Sequence, residues 1–231
     1  MAQLSFDLPR REATGRADLM VTGANAEALA LLDGGAWPEG RLALVGPEGA
    51  GKSHMAAIWA EEAGARVLRA VEGDPVALAG APLVVEDVDR WLACGGDGTA
   101  LFHLLNACLA AGTPLLLTGR SAPSEWPTDL PDLASRLAAT TPATLRAPDD
   151  VMLSMLLVKL FADRQLRVGP ALVGWLLPRM ERSHAAALRV VETLDAAALA
   201  RGQEVGVPLA REVLGGQGDL WGDLDSGGAP A

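Results

Sequence analysis

Residues 46–53, GPEGAGKS, limit what this chain can fold into more than any other stretch. Gly46 and Gly51 bracket Pro47, Glu48, Gly49 and Ala50, and Lys52 and Ser53 follow directly. The apolar run RLALV (41–45) precedes the glycines and has the form of a short buried strand. HMAAIWAEEAG (54–64) follows and has the form of a helix ending at Gly64. A strand, a glycine loop and a helix in that order let the backbone curl until successive N–H groups converge on one point. The positive end of the helix stands behind them. Every fixed position of G-x-x-x-x-G-K-[ST] is filled, and the flanking pattern agrees with it independently. The chemistry expected of such a loop is polyphosphate capture. Lys52 would reach the β- and γ-phosphates of ADP or ATP, and the Ser53 hydroxyl would ligate Mg²⁺.

The rest of the chain supplies the scaffold such a loop requires. ARVLRA (65–70), LVVED (83–87), PLLLTG (114–119) and TPATLRA (141–147) are further strand candidates. Between them lie room for one helical turn in 71–82, the helix TALFHLLNACLAAG (99–112) and a short helix PDLASRLAA (131–139). Strands alternating with helices predict a parallel sheet covered on both faces, hence the α/β class. A short helix at 25–32 precedes them, with Asn25 as its cap. Beyond Pro148 the strand pattern stops, and helices are expected at 149–164, 170–181, 184–201 and 208–214. The expected organisation is therefore an extended tail (1–23), a nucleotide-binding α/β domain (24–147), a small helical domain (148–214) and a Gly-rich acidic tail (215–231).

The net charge of -10 works against direct contact with a phosphate backbone, which needs a surplus of Lys and Arg. The cysteines, Cys94 and Cys108, have no metal-ligand spacing and are expected as buried free thiols. The first residues, MAQLSFDLPRR, contain no apolar segment of the secretory kind, and no run is long enough to span a membrane. A cytoplasmic protein with no membrane partner is the expectation.

About 30 residues beyond the loop, the strand 83–87 ends in two carboxylates. An acid there holds Mg²⁺, commonly through water, and a second orients the attacking water. Glu86 is the expected metal residue and Asp87 its catalytic neighbour. Glu86 stands where Asp is usual, which lengthens the reach by one methylene.

With these residues in view, the chain resembles the DnaA branch of the AAA+ ATPases, and within it the Hda/HdaA family of the system for regulatory inactivation of DnaA. The likeness runs from the first residues to about 214. GPEGAGKSHMAAIWA resembles the family's phosphate loop, including His54 after Lys-Ser, so residues 46–54 become the cofactor-binding stretch. LVVEDVDRW (83–91) resembles its acidic strand. LFHLLNACLAAGTPLLLTGR (101–120) resembles the helix and strand that carry the first nucleotide sensor, which assigns Thr118 to that position. LPDLASRL (130–137) resembles the block with the arginine finger, which makes Arg136 the candidate. ERSHAAALRVVETLDAAAL (181–199) resembles the second-sensor helix of a lid, although Ala185 stands where the family carries Arg and only Arg182 and Arg189 lie nearby. Gln3, Leu4, Ser5, Phe6, Asp7 and Leu8 resemble the peptide with which such proteins grip the DNA polymerase III β sliding clamp, using apolar anchors in an extended segment.

The resemblance implies an AAA+ P-loop core with a five-stranded parallel sheet and a small helical lid. It also implies a negative regulator of replication initiation that meets DNA through the clamp and promotes hydrolysis of ATP bound to DnaA. Residues 71–82 are too short for the helical insertion with which the initiator grips single strands, and no duplex-reading helix-turn-helix is expected after the lid. The alternative is a self-contained AAA+ ATPase, a loader or remodelling adaptor whose own turnover does the work. Self-association stays open on either reading.

Overall fold

The computed structural model describes Arg16 and residues 19–215. The clamp-type segment 3–8 and the tail from 216 onward lie outside the described residues.

Five strands form one parallel sheet: β1 (Arg41–Val45), β2 (Arg66–Leu68), β3 (Leu83–Val85), β4 (Leu115–Gly119) and β5 (Thr141–Thr144), in the order β2-β3-β4-β1-β5. β1 pairs with β4 from Arg41 opposite Leu115 to Val45 opposite Gly119, and with β5 on its other side. Alternation along the strands divides the core into two layers. Ala43, Val45, Leu83, Val85, Leu115 and Leu117 face one cluster, which includes Leu101, Leu104, Leu105, Leu133 and Leu137. Leu42, Leu44, Val84 and Leu116 face another, with Leu29, Leu32, Met55, Ala56 and Ala60. Thus α1 (Ala26–Gly34) and α2 (Lys52–Ala63) cover one face. The other is covered by α3 (Pro75–Leu78), α4 (Val88–Ala93), α5 (Gly98–Ala111) and α6 (Pro131–Ala138). Each buried Leu or Val contributes about 1.5–3 kcal/mol, so aliphatic side chains suffice where aromatics are few.

The remaining helices are α7 (Asp150–Asp163), α8 (Pro170–Leu176), α9 (His184–Arg201) and α10 (Val207–Leu214). They enclose a third cluster that includes Leu153, Leu157, Phe161, Leu176, Val191 and Leu194. Local chemistry starts and stops the helices. Asp97 accepts from the amides of Thr99 and Ala100, Asp149 from Met152, and Ser183 from Ala186. Gly112 ends α5 at φ 65° and Gly202 ends α9 at φ 60°, a conformation that costs glycine little.

The structure departs from the sequence expectations in four places. Asn25 does not cap α1 with its side chain; Oδ1 accepts from the Thr22 amide and Nδ2 donates to the Met20 carbonyl, tying down the incoming loop. α8 stops at Leu176 and gives way to a 3₁₀ turn, because Pro178 cannot continue the amide ladder. α4 is an additional helix that the six residues before Gly95 and Gly96 did not announce. Cys94 is exposed, whereas Cys108 is buried and its thiol is pushed up to about 11 by burial. Iodoacetamide at neutral pH should therefore label one thiol per folded chain and a second only after denaturation; two fast-reacting thiols in the native protein would contradict this packing. Among the described residues, no helix is long and apolar enough to cross a membrane.

Candidate functional site

The glycine loop leaves the sheet at the carboxyl end of β1, held between the ends of its two neighbours. The Gly46 amide donates to the Gly119 carbonyl at 3.3 Å, at the end of β4. On the β5 side, a Cβ at Gly46 would collide with the carbonyl oxygen of Leu145. Gly49 (φ 76°) and Gly51 (φ 94°) turn left-handed, and the Ala50 amide closes the loop onto the Pro47 carbonyl at 3.3 Å. Helix α2 starts at Lys52 with no side-chain cap. The amides of Gly49, Gly51, Lys52 and Ser53 meet no acceptor among the described residues, and a Cβ on Gly51 would have nothing within 4 Å. Unsatisfied donors around an open concavity at a helix N-terminus fit an anion.

Lys52 is the cation of this cradle. Only 8% exposed, it turns back onto the loop and donates from Nζ to the carbonyls of Gly46 at 2.8 Å and Pro47 at 2.9 Å. Burial pushes its ammonium below the ordinary value; Asp87 and then Asp89 oppose that push, Arg120 adds to it and Glu48 opposes it. The Ser53 side chain is exposed at the first turn, and His54 follows it half-buried.

Glu86 and Asp87 stand at the end of β3. The Glu86 amide still pairs with the Leu68 carbonyl of β2 at 2.8 Å, and its carboxylate lies 3.7 Å from Arg69. Asp87 then turns left-handed at φ 51°, its amide donating to Thr118 Oγ1 at 2.8 Å. Thr118 is fully buried and spends its hydroxyl on this bend. Asp87, Asp89 and Glu48 are the carboxylates that favour the charged form of Lys52, while Glu86 lies against Arg69. Asp89 Oδ2 accepts from the Arg120 amide at 3.0 Å, while its Oδ1 is buried without a partner among the described residues. Arg120 also pairs with Glu48 of the loop at 2.7 Å. A 670 Å³ cleft beside the loop is lined by Glu48, Asp89, Arg90, Arg120, Ser121 and Glu125 among others.

Among the described residues, no group of three or more His, Cys, Asp or Glu side chains is arranged to hold a metal ion. One serine hydroxyl with carboxylates near the loop suits an ion such as Mg²⁺, which keeps most of its ligands as water and phosphate oxygens. The residues present fit a magnesium polyphosphate.

The helical cluster meets this loop through a residue that the sequence pattern does not single out. A Cβ on Gly49 would collide with that of Ser183 and stand 3.2 Å from its Cα. Ser183 is buried and caps α9, so the first turn of that helix sits on the loop. Ala185 is exposed. Arg182 pairs with Asp150 at 2.7 Å and Arg189 with Glu181 at 3.5 Å, so both candidate replacements for a sensor arginine are engaged with carboxylates.

Arg136 stands apart from all of these. It lies in the last turn of α6, half-exposed, 3.7 Å from Glu39, which directly precedes the β1 side of the sheet at Gly40 and Arg41. The loop emerges from the other end of β1, roughly 13 Å away at about 3.3 Å per strand residue. The structure thus brings the loop, Lys52, Asp87 and Thr118 together and sets Arg136 apart, and it adds Asp89, Arg120 and Ser183, which the sequence reading did not single out. A cue existed for each: Asp89 lies two residues past Asp87, Arg120 directly follows the β4 run, and Ser183 has the helix-capping chemistry of a serine before an Ala-rich run.

No protein-family model matches the chain, and no curated protein matches it. Solved structures do. Domain III of the replication initiation protein DnaA from Thermotoga maritima superposes with a TM-score of 0.71 at 17% identity, over 90% of this chain and 98% of that one. AMPPCP-bound DnaA from Aquifex aeolicus gives 0.64 at 14% identity, over 83% of this chain and 67% of that one. The Holliday junction branch migration motor RuvB from Thermotoga maritima gives 0.61 at 17% identity, over 82% and 65%. The fold is that of the AAA+ P-loop NTPases: a five-stranded parallel sheet with flanking helices.

Proposed function

We propose that this AAA+ chain is a regulator of replication initiation that holds ADP or ATP with Mg²⁺ in its own loop and acts on ATP bound to a DnaA-type partner. Residues 24–147 form the nucleotide-binding domain and residues 148–214 its lid. Gly46, Pro47, Glu48, Gly49, Ala50 and Gly51 cradle the phosphates, Lys52 contacts them, and Ser53 binds the magnesium. Arg136 is the finger offered in trans. Residues 3–8 bind the β sliding clamp, so that DNA is met indirectly, and hydrolysis leaves the partner with ADP.

The observation carrying this reading is the separation of Arg136 from its own loop. An exposed guanidinium at the amino end of β1 cannot serve phosphates held at the carboxyl end. It can serve only those of a neighbour. A guanidinium so supplied meets charge developing on the transferred phosphoryl group and can be worth ~10³–10⁵ in rate. Bound nucleotide, for its part, orders the loop, on which Ser183 and the lid rest.

The test is reconstitution with ATP-loaded DnaA, clamp and DNA, reading phosphate release. The wild-type chain should accelerate release, and Arg136→Ala should abolish the acceleration while retaining its own nucleotide. Undiminished acceleration by Arg136→Ala would remove the finger from the scheme.

A second reading, a self-contained ATPase, draws on Asp87 and Asp89 beside Lys52, carboxylates available to a metal and an attacking water. Steady phosphate release by the chain alone, unaffected by Arg136→Ala, would favour it.

A further inference from the structure

Arg136 is not an isolated surface arginine. It belongs to a cluster at the amino end of β1, organised by a buried cation. Arg41 is 2% exposed. Its Nε donates to Thr140 Oγ1 at 3.1 Å, and its Nη2 pairs with Oε2 of Glu39. Thr140 in turn donates from the same hydroxyl to the backbone carbonyl of Arg136, also at 3.1 Å. The circuit closes through Glu39, whose Oε2 lies 3.7 Å from Nη1 of Arg136. Glu39 itself is held at φ 51° between Pro38 and Gly40.

The two arginines have unequal claims on the shared carboxylate. A buried guanidinium deprived of its partner is costly, so Arg41 holds Glu39 firmly. An exposed pair at the distance of Arg136 is weak and readily given up. Glu39 therefore orients the Arg136 guanidinium without neutralising it, while Arg41 and Thr140 fix the backbone from which Arg136 extends. We infer that Glu39, Arg41 and Thr140 are positioning residues for Arg136, keeping its guanidinium aimed outward and transferable to a polyphosphate on a partner molecule. This inference rests on the trans role proposed above.

The experiment compares Glu39→Gln, Glu39→Asp and Thr140→Val with Arg136→Ala, in the full chain with ATP-loaded DnaA, clamp and DNA. Phosphate release is measured against chain concentration. Glu39→Gln should lower the maximal rate roughly tenfold, in keeping with the cost of a misplaced catalytic group, with the half-saturating concentration unchanged. Glu39→Asp, which retains the charge, should recover most of that rate. ADP affinity at the glycine loop serves as the check on folding. Should Glu39→Gln fail to fold because Arg41 has lost its ion-pair partner, Thr140→Val carries the test, since it cuts the hydroxyl's links to Arg41 Nε and to the Arg136 carbonyl and leaves both ion pairs. Its maximal rate should fall in the same way.

The outcomes separate the positioning role from the finger itself. If Arg136→Ala abolishes stimulation while folded Glu39→Gln and Thr140→Val act like the wild type, the positioning role is wrong and the finger stands. The positioning role is equally wrong if the variants change only the half-saturating concentration, or if Glu39→Asp gives no recovery. If Arg136→Ala itself leaves stimulation intact, the finger and its positioning fall together.

Discussion

Lys52→Met lowers the affinity for ADP with magnesium by about a hundredfold to a thousandfold in calorimetric titration. Methionine preserves the apolar stem, so the loss is that of the ammonium alone. Hydrogen bonds to charged groups contribute about 1.5–3 kcal/mol each, and two such contacts to phosphate oxygens near the lower end of that range, about 3–4 kcal/mol together, correspond to such a loss. In the structure Nζ donates to the carbonyls of Gly46 and Pro47, 2.8 and 2.9 Å away. A polyphosphate would draw at least one of those bonds toward itself, so the resting geometry is that of a cation held ready inside its cradle. The substitution also leaves Asp87 and Asp89 without the charge that Lys52 sets beside them, and the remaining affinity should be more dependent on magnesium. An affinity within about threefold of the wild type, a difference under 1 kcal/mol, would mean that the loop does not use this residue for phosphate, and the nucleotide assignment would fail with it.

The second large effect concerns the glycines, which the structure ranks. Gly46→Ala places a methyl group against the Leu145 carbonyl, a backbone atom with nowhere to retreat, because the Leu145 amide is bonded to Val45 at 2.7 Å. Either β5 parts from β1 at its carboxyl end or the loop is pushed out of shape. Overpacking of this kind costs about 1–3 kcal/mol, and the unusual backbone angle adds to it. Gly51→Ala meets nothing within 4 Å and suffers only from its φ of 94°. Urea unfolding should therefore show Gly46→Ala as the less stable of the two by about 2 kcal/mol, with ADP binding lost. Equal stability for the two variants would show that the contact between the loop and β5 is not as described.

Where the strands lie was legible because burial on both faces leaves continuous apolar runs: RLALV, LVV and LLLTG each match a strand bounded within a residue or two. The loop was legible because glycine, lysine and serine at fixed spacing have few other uses. Strand order was not, since a parallel sheet sets its order by crossover helices whose packing partners are distant in sequence. At the acidic strand end the sequence shows the carboxylates but not how the backbone turns there. Glu86 continues the β2 pairing, the chain bends left-handed at Asp87, and Asp87 and Asp89 act on Lys52. That bend depends on the Thr118 hydroxyl, 31 residues away in the chain, which no periodicity reveals. The role of Ser183 was hidden likewise: capping chemistry predicts where a helix starts, not what its first turn rests upon.

The contact between Ser183 and Gly49 makes the fold a lever. Helix α9 has 18 residues, a rod of about 27 Å, and its first turn bears on the loop. A tilt of about 10° at that fulcrum swings the far end, near Arg201, by roughly 5 Å. A shift of the glycine backbone that tilted this helix would thus be magnified along its length.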